Sequence, residues 1–151
     1  MPNYVMKPIG YIKCESLKEK DDHCNKKKGE TFKAQAIIND ELLDALEDIE
    51  TFDRIWLIFV FDRNIGRGYK TKTPTRAEPS TERSLFVTRT PYRPNPIGIS
   101  CVTLIGRDKN ILHFENADIL DGTPLLDIKP YIPNSDSRPD SKAGWIDKLG
   151  K

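Results

Sequence analysis

The sequence has 151 residues, 37% of them hydrophobic and 31% charged, with a formal net charge of +1. This length is usual for one domain, and the apolar content is too high for an intrinsically disordered chain. There is no run of 18 apolar residues to span a membrane, and the three cysteines are an odd set without a secretory signal. We therefore expect a single cytoplasmic domain over residues 1–151, with free thiols.

The first predicted element is a strand over residues 4–12, interrupted at Pro8 or bulged at Gly10. A polar loop follows over residues 15–30, and loops of that length are usually functional or disordered. The stretch over residues 32–38 predicts a second strand. The N-terminal part of the chain is thus expected to contribute two strands joined by a long loop.

A helix is predicted to follow the second strand. Asn39 suits its N-cap, and the acids Asp40 and Glu41 fall in the first turn, where the helix dipole favours negative charge. The apolar positions that repeat with helical spacing are Leu42, Leu43, Leu46 and Ile49. They form one stripe over about three turns, which predicts a helix that packs through this stripe.

The rest of the scaffold is predicted to be strands and loops. Residues 55–61 are a continuous apolar run, typical of a strand buried on both faces. Residues 63–83 combine glycine, proline and small polar side chains without periodicity and predict a long exposed loop. Further strands are predicted over residues 84–88, 97–105 and 111–116, with a turn at 108–110. Many short strands and one helix favour a β-barrel or a β-rich α+β domain over a doubly wound sheet.

Charge is distributed unevenly along the chain. Residues 39–62 carry eight acids and one base, a balance of −7, whereas residues 63–93 carry eight bases and two acids, a balance of +6. The near-neutral total therefore hides a basic segment that suits a phosphate-binding face. On charge alone, a solvated loop with mixed counterions is the better interpretation.

Two segments display polar side chains on a stiff backbone. Residues 88–100 contain three closely spaced prolines, which fix φ and remove N–H donors, beside two arginines and an asparagine. Residues 118–133 contain an Asp-Gly turn and then a strand on which Asp127 and Lys129 share a face. Taken alone, a proline-rich turn and a hairpin with a surface ion pair remain open interpretations.

Together these segments resemble the signature of the TrmO (TsaA/YaeB-like) family of S-adenosylmethionine-dependent tRNA methyltransferases. The signature reads Thr-Arg, Arg-Pro-Asn-Pro-Ile-Gly, Asp-Gly-Thr-Pro and Asp-Ile-Lys-Pro-Tyr-Ile-Pro, and it occurs at residues 88–89, 93–98, 121–124 and 127–133. Ile9-Gly10 and the apolar run over residues 55–61 extend the likeness over nearly the whole chain. Motifs of this length are far more specific than a lone glycine-rich loop.

The resemblance implies a mainly β fold, a single-sheeted β-barrel with one or few helices rather than a Rossmann-type domain. The sequence agrees, since no strand, GxGxxG turn and helix follow one another. The resemblance also implies a homodimer that binds S-adenosyl-L-methionine and acts on the tRNA anticodon loop. The expected reaction is methylation of N6 of threonylcarbamoyl-adenosine next to the anticodon. Some members of the family carry an extra C-terminal domain, and we expect none over residues 1–151.

The same resemblance assigns residues to the cofactor. Those that match contacts of the family are Arg89, Ile99, Asp121, Gly122, Thr123 and Pro124. Asp62 and Arg63 are expected to join them, although the family often has a His-Gln pair there. Lys-Lys-Lys-Gly at residues 26–29 stands where the family has Pro-Arg-Gln-Gly, and a contact of residues 26–28 with either cofactor or RNA remains open.

Other side chains suit the RNA and the reaction. Those expected to hold tRNA phosphates are Arg67, Lys70, Lys72 and Arg93, while Tyr92 suits stacking on a splayed base. The target nitrogen carries an acyl group, so a hydrogen-bond acceptor near its proton assists the reaction. The polar candidates are Asn95, Asp121, Asp127 and Tyr131, of which we favour Asn95 and Tyr131 as catalytic residues.

One other function and one other type of site were weighed. A non-enzymatic module that binds S-adenosylmethionine or RNA and regulates a partner stays open because of the departures at Asp62 and residues 26–28. A metal site at Cys14, His23 and Cys24 is disfavoured, since neither a CxxC spacing nor a fourth ligand follows. We therefore expect no metal.

Overall fold

Alternating apolar and polar side chains build most strands of the computed structural model, which describes residues 1–17 and 32–150. The strands are β1 (Gly10–Lys13), β2 (Lys33–Ile38), β3 (Arg54–Val60), β4 (Lys72–Pro74), β5 (Glu82–Ser84), β6 (Ile97–Asp108), β7 (Ile111–Glu115) and β8 (Pro124–Pro130). The short helices are α1 (Pro133–Asp136) and the 3-10 helices Asp40–Leu46, Ile49–Thr51, Asp62–Asn64, Leu85–Val87 and Gly144–Lys148. Within these described ranges, no helix has the length and apolar character needed to cross a membrane.

Six of the strands close into an antiparallel barrel in the order β1-β2-β7-β6-β3-β8. β1 completes the barrel because it pairs on both sides, with Gly10 opposite Ile38 of β2 and opposite Leu125 of β8. Closure leaves none of these strands as an open edge. β4 and β5 form a separate two-stranded hairpin. The expected mainly β barrel, with few helices and no Rossmann sheet, is confirmed.

One alternate set of side chains from each barrel strand fills the interior. The inward positions with no exposed surface are Ile12, Ala36, Ile55, Leu57, Val102, Leu112, Phe114 and Leu125. Phe59 continues this set on β3 and packs edge-on against Phe61, with ring centroids 5.3 Å apart. A small barrel filled in this way has a packed core rather than a channel, so ligands must bind at its ends or on its outer face.

The strands predicted over residues 32–38, 97–105 and 111–116 are confirmed, and β6 runs three residues further than expected, to Asp108. The strand over residues 55–61 is also present, but the expectation that both faces are buried is wrong. Burial alternates along β3: Ile55, Leu57 and Phe59 point inward, whereas Trp56, Ile58 and Val60 are only half-buried. The continuous apolar run therefore leaves an apolar outer face beside the site.

The predicted three-turn α-helix is wrong. Residues 39–53 contain two 3-10 helices, separated at Asp48, which has a φ of +65°. Leu46 and Ile49 both pack on the core, and side chains three residues apart share a face in a 3-10 helix, so the apolar stripe is still used. The side chain of Asn39 does not cap the helix. Its side-chain amide donates to the Pro8 carbonyl oxygen at 3.2 Å instead.

The strands predicted at residues 4–12 and 84–88 need correction. The first begins only at Gly10, which is the first residue of the segment that pairs with β2 and β8. The side chains of Tyr4, Val5 and Met6, before it, are exposed. The second is the 3-10 helix Leu85–Val87. It turns because the Thr88 amide bonds back to the Leu85 carbonyl at 3.1 Å.

The segment predicted as a long loop, residues 63–83, is partly ordered into the β4–β5 hairpin. Thr73 pairs with Arg83, and the Arg83 guanidinium forms an ion pair with Glu78 inside the connection. Strands of three residues are too short to leave a periodic pattern, which is why the sequence did not indicate them. Of the polar loop predicted over residues 15–30, residues 18–30 lie outside the described part of the chain.

Candidate functional site

Three loops meet at one end of the barrel because their strands are antiparallel neighbours. Val60 at the end of β3 pairs with Ile97 at the start of β6, and Phe59 pairs with Leu125 near the start of β8. The residues that follow β3 and those that precede β6 and β8 therefore share this end, which we call the signature end. It collects most of the residues assigned to the cofactor.

The turn before β8 is hydrogen-bonded to β1 and to the residues that follow it. The amide of Asp121 donates to the Leu17 carbonyl and that of Gly122 to the Ile12 carbonyl, both at 2.7 Å. The carboxylate of Asp121 accepts the Cys14 amide at 2.8 Å. Gly122 has a φ of +80°, a conformation that glycine adopts without strain. The buried Thr123 completes the turn, its hydroxyl donating to Leu120 O at 2.7 Å.

Arg63 links the turn after β3 to the turn before β8. Its Nη2 donates to the carbonyl oxygen of Asp121 at 2.7 Å. Asp62, in the 3-10 helix Asp62–Asn64, is thereby held beside the same turn. Asp62 and Arg63, the two residues that depart from the family pattern, thus lie beside the other residues assigned to the cofactor. The side chain of Arg63 connects the two turns through its hydrogen bond to Asp121.

The proline-rich loop is braced in the same manner. Nη1 of Arg93 donates to the Thr88 carbonyl at 2.9 Å and to the Thr90 carbonyl at 3.4 Å. Phe61 N donates to Pro96 O at 2.7 Å, which ties the loop to the end of β3. Arg93 is half-buried, so this guanidinium already supports its own loop, and its contact with tRNA phosphate stays a prediction.

Arg89 and Asn95 differ from these braces because their side chains are exposed. Neither side chain hydrogen-bonds to another residue in the described part of the chain, so both are available to a ligand. Ile99 is 50% exposed on the outer face of β6, opposite Ile58 of β3. With Ile97, 43% exposed, it forms an apolar surface that leads up to the signature end.

Tyr131 lies elsewhere. It follows β8, whose seven residues span roughly 20 Å at about 3.3 Å per residue, so it sits at the opposite end of the barrel from Asp121. There it packs against Trp56, with ring centroids 5.9 Å apart. It also lines a cavity of about 330 Å³ together with Phe52 and Ile132. The fold therefore does not bring the two favoured catalytic residues, Asn95 and Tyr131, together within one chain.

Three of the four residues expected to hold tRNA phosphates lie on β4 or shortly before it, and the fourth, Arg93, lies in the proline-rich loop. Arg67, Lys70 and Lys72 are all exposed, as expected for phosphate contacts. Tyr92 is half-buried. Sequence reasoning missed Phe86 and Trp145 here: Phe86 is 79% exposed, and the Trp145 ring lies 5.0 Å from the Arg83 guanidinium. The available signal was aromatic residues within and after the basic segment.

The two cysteines that the structure describes, Cys14 and Cys101, are free thiols. Cys14 is buried, and burial raises the pKa of its thiol, as it does for Cys101. Among the residues that the structure describes, no three His, Cys, Asp or Glu side chains are grouped closely enough to hold a metal ion. His23 and Cys24, the other members of the disfavoured metal set, lie outside those residues.

Comparisons with known proteins point to one family. The model of the tRNA-methyltransferase O N-terminal domain matches residues 16–137. A probable S-adenosyl-L-methionine-binding protein of Pyrococcus abyssi is 40% identical over 142 residues, which cover 94% of this chain and 76% of the relative. The tRNA (adenine(37)-N6)-methyltransferase of Escherichia coli is 39% identical over 107 residues, 68% of this chain and 46% of that enzyme.

A solved structure agrees with these sequence matches. The crystal structure of TrmO from Pseudomonas aeruginosa superposes with a TM-score of 0.70 at 29% identity. The superposition covers 95% of this chain and 62% of that one. The chain thus spans about half the length of the Escherichia coli relative and under two thirds of the Pseudomonas structure, but most of the Pyrococcus protein.

Proposed function

This chain belongs to the family of the tRNA-methyltransferase O N-terminal domain, and we propose that it is an S-adenosyl-L-methionine-dependent tRNA methyltransferase. The proposed product is the N6-methylated form of threonylcarbamoyl-adenosine beside the anticodon. The observation that carries this proposal is the meeting of two signature segments, residues 93–98 and 121–124, at one barrel end. There Arg63, in the turn after β3, bonds to Asp121 across 58 residues of chain. We further propose a cytoplasmic homodimer and the tRNA anticodon loop as substrate.

The residues at the signature end fit the cofactor by their chemistry. The cofactor carries a carboxylate, an ammonium group, a cationic sulfur and a flat adenine. The exposed guanidinium of Arg89 suits the carboxylate, Asp62 suits the cationic groups, and Ile99 offers an apolar surface to the adenine. We propose that these residues hold the cofactor, with the turn Asp121, Gly122, Thr123 and Pro124 forming the adjacent wall.

When bound, the cofactor supplies an electrophilic methyl group on its sulfonium. The chain's own residues must align the nitrogen and exclude water. We propose that the side-chain oxygen of Asn95 accepts the N6–H hydrogen bond and so orients the nitrogen. An amide oxygen is too weak a base to keep this proton, so the proton is released to solvent as the nitrogen gains the methyl group. Tyr131, the other residue favoured as catalytic, lies about 20 Å from the signature end of its own chain. We therefore propose that Tyr131 acts at the signature end of a second copy of the protein.

A non-enzymatic S-adenosylmethionine-binding module remains the second candidate. It is favoured by the Pyrococcus relative, which this chain spans for 76% of its length and whose name refers to binding alone. The two candidates differ in one respect, since both bind the cofactor and only the first transfers its methyl group.

Transfer of a labelled methyl group separates these candidates. Purified protein is incubated with labelled cofactor and tRNA that carries threonylcarbamoyl-adenosine, with the unmodified transcript as control. We expect label in the modified tRNA only. Cofactor binding in calorimetry without transfer to either RNA would favour the binding module.

Arg89→Ala tests the proposed cofactor site, with Lys72→Ala as its matched control. Loss of a charge-assisted hydrogen bond should raise the cofactor Kd about tenfold or more. Lys72 lies on the hairpin, so Lys72→Ala should leave the cofactor Kd unchanged. Equal effects of the two substitutions in calorimetry would contradict the assignment of Arg89.

A further inference from the structure

The 3-10 helix Leu85–Val87 holds one aromatic ring out into solvent. Leu85 is buried, and its amide donates to the Thr71 carbonyl at 2.9 Å, which fixes the turn to the chain entering the hairpin. The Thr88 hydroxyl donates to the Leu85 carbonyl at 2.7 Å and closes the turn. Phe86, between these anchors, is 79% exposed. The ring therefore stands on an ordered backbone and needs little further ordering to bind a partner.

A cation supports this ring. The guanidinium carbon of Arg93 lies 5.8 Å from the centre of the Phe86 ring, within the range of a cation–π contact. Arg93 is itself held by the carbonyl oxygens of Thr88 and Thr90. The ring is thus backed by a fixed positive charge, and its large exposed area leaves it accessible to a flat partner.

The surroundings of Phe86 favour a polyanion. Lys72 pairs in register with Ser84, two residues before Phe86, and Arg89 follows three residues after it. The side chains of Lys72 and Arg89 are exposed, and the nearby Glu78 is neutralised by its ion pair with Arg83. A second copy docked here would bring these positive charges against their equivalents, which disfavours self-association through this surface.

We propose that Phe86 is a stacking platform for one unpaired base of RNA, with Arg93 behind the ring and Lys72 toward the adjoining phosphates. This inference rests on the proposed function, because the proposed function identifies tRNA as the RNA that binds. Aromatic side chains with neighbouring cations bind single-stranded bases in this manner. Phe86 lies two residues before the Thr88-Arg89 signature, so the stacked base lies next to the proposed cofactor residues.

The test uses the full chain and an anticodon stem-loop RNA in which 2-aminopurine replaces a loop adenine, because its fluorescence is quenched by stacking. Phe86→Ala should weaken binding about tenfold or more and abolish the protein-induced quenching. Phe86→Trp should restore both. Phe86→Leu, which is apolar but not flat, should restore neither. Tyr4→Ala removes an equally exposed aromatic ring, 79%, from the segment before β1; it is the matched control and should bind as wild type.

The outcomes separate this inference from the proposed function. If wild-type protein methylates tRNA and Phe86→Ala binds RNA equally well, stacking is wrong and the function stands. If Phe86→Leu binds as wild type, the contact is apolar without stacking, and the inference also fails. Sedimentation of each variant adds a last check: dissociation of a dimer by Phe86→Ala, with RNA affinity unchanged, would assign the ring to self-association instead.

Discussion

Several polar residues at the signature end have internal partners that the sequence did not indicate. Arg63 bonds to a carbonyl oxygen of the neighbouring turn, Arg93 bonds to its own loop, and the Asp121 carboxylate accepts a backbone amide of Cys14. A net contribution of about 0.5–1.5 kcal/mol is usual for one such bond, and more for a charged donor. These side chains therefore stabilise the conformation of the loops at the signature end, where we propose that the cofactor binds.

Gly10 offers a residue-level test of barrel closure. A Cβ at this position would lie 2.1 Å from the Ile37 carbonyl oxygen and 3.0 Å from the Ile38 Cα, both backbone atoms of the paired strand. Gly10→Ala must therefore push β1 and β2 apart, and we expect a loss of about 1–3 kcal/mol in the free energy of unfolding. Urea denaturation measures this loss.

Gly106→Ala is the matched control for this prediction. Gly106 also lies in a barrel strand, and an added Cβ would meet no heavy atom of the described residues within 4 Å. We expect its free energy of unfolding to stay close to that of wild type. Similar losses for the two variants would show that the close approach at Gly10 does not limit stability.

Between elements, the basic hairpin is anchored by the end of the chain. Trp145, in the 3-10 helix Gly144–Lys148, donates its indole N–H to the Val87 carbonyl at 2.8 Å and packs under the Arg83 guanidinium. Arg83 in turn bonds Glu78 within the hairpin. None of these contacts involves a barrel strand, so they help to fix the orientation of the hairpin independently of the barrel.

Trp145→Ala should loosen the β4–β5 hairpin and weaken tRNA binding severalfold, because the hairpin cations would no longer be held in position for phosphate. Cofactor affinity should not change. Trp145→Phe keeps a ring under Arg83 without the N–H donor and should recover part of the tRNA affinity. Hydrogen exchange at residues 72–84 and tRNA titrations measure the two effects; unchanged exchange in Trp145→Ala would show that the hairpin is stable without this anchor.

At the scale of the whole molecule, the barrel divides the signature between its two ends. Asp121 and Asn95 lie at one end, and Tyr131 lies about 20 Å away beside a cavity at the other. The strand between them carries the ion pair of Lys129 with Asp127, 3.0 Å apart, as their shared face predicts. Asn95 and Tyr131 can act on one tRNA base only if two copies of the chain combine.

The proposed homodimer therefore predicts complementation between inactive variants. Asn95→Ala and Tyr131→Phe should each be strongly impaired in methyl transfer. When mixed and allowed to exchange subunits, they should regain about a quarter of wild-type activity, because half of the dimers then hold one intact site of two. No recovery, with exchange verified by mass spectrometry, would contradict a site shared between copies.

The sequence by itself determined the β-barrel class, the family and most strands, because long motifs and period-two burial are local properties of the chain. Through the resemblance it also indicated Arg89, Ile99 and the turn Asp121, Gly122, Thr123 and Pro124 as a set. It could not show that residues 40–51 form 3-10 helices, since an apolar stripe fits both helix types and the break at Asp48 is a backbone conformation.

Only the tertiary structure decided which residues meet. Antiparallel pairing of β3 with β6 and β8 brings Asp62 and Arg63 to the turn at Asp121, although they lie 58 or more residues away in the chain. The same pairing carries Tyr131 to the far end, despite its place within the continuous motif over residues 127–133. Nearness in sequence says little here, because an extended strand of seven residues crosses the whole barrel.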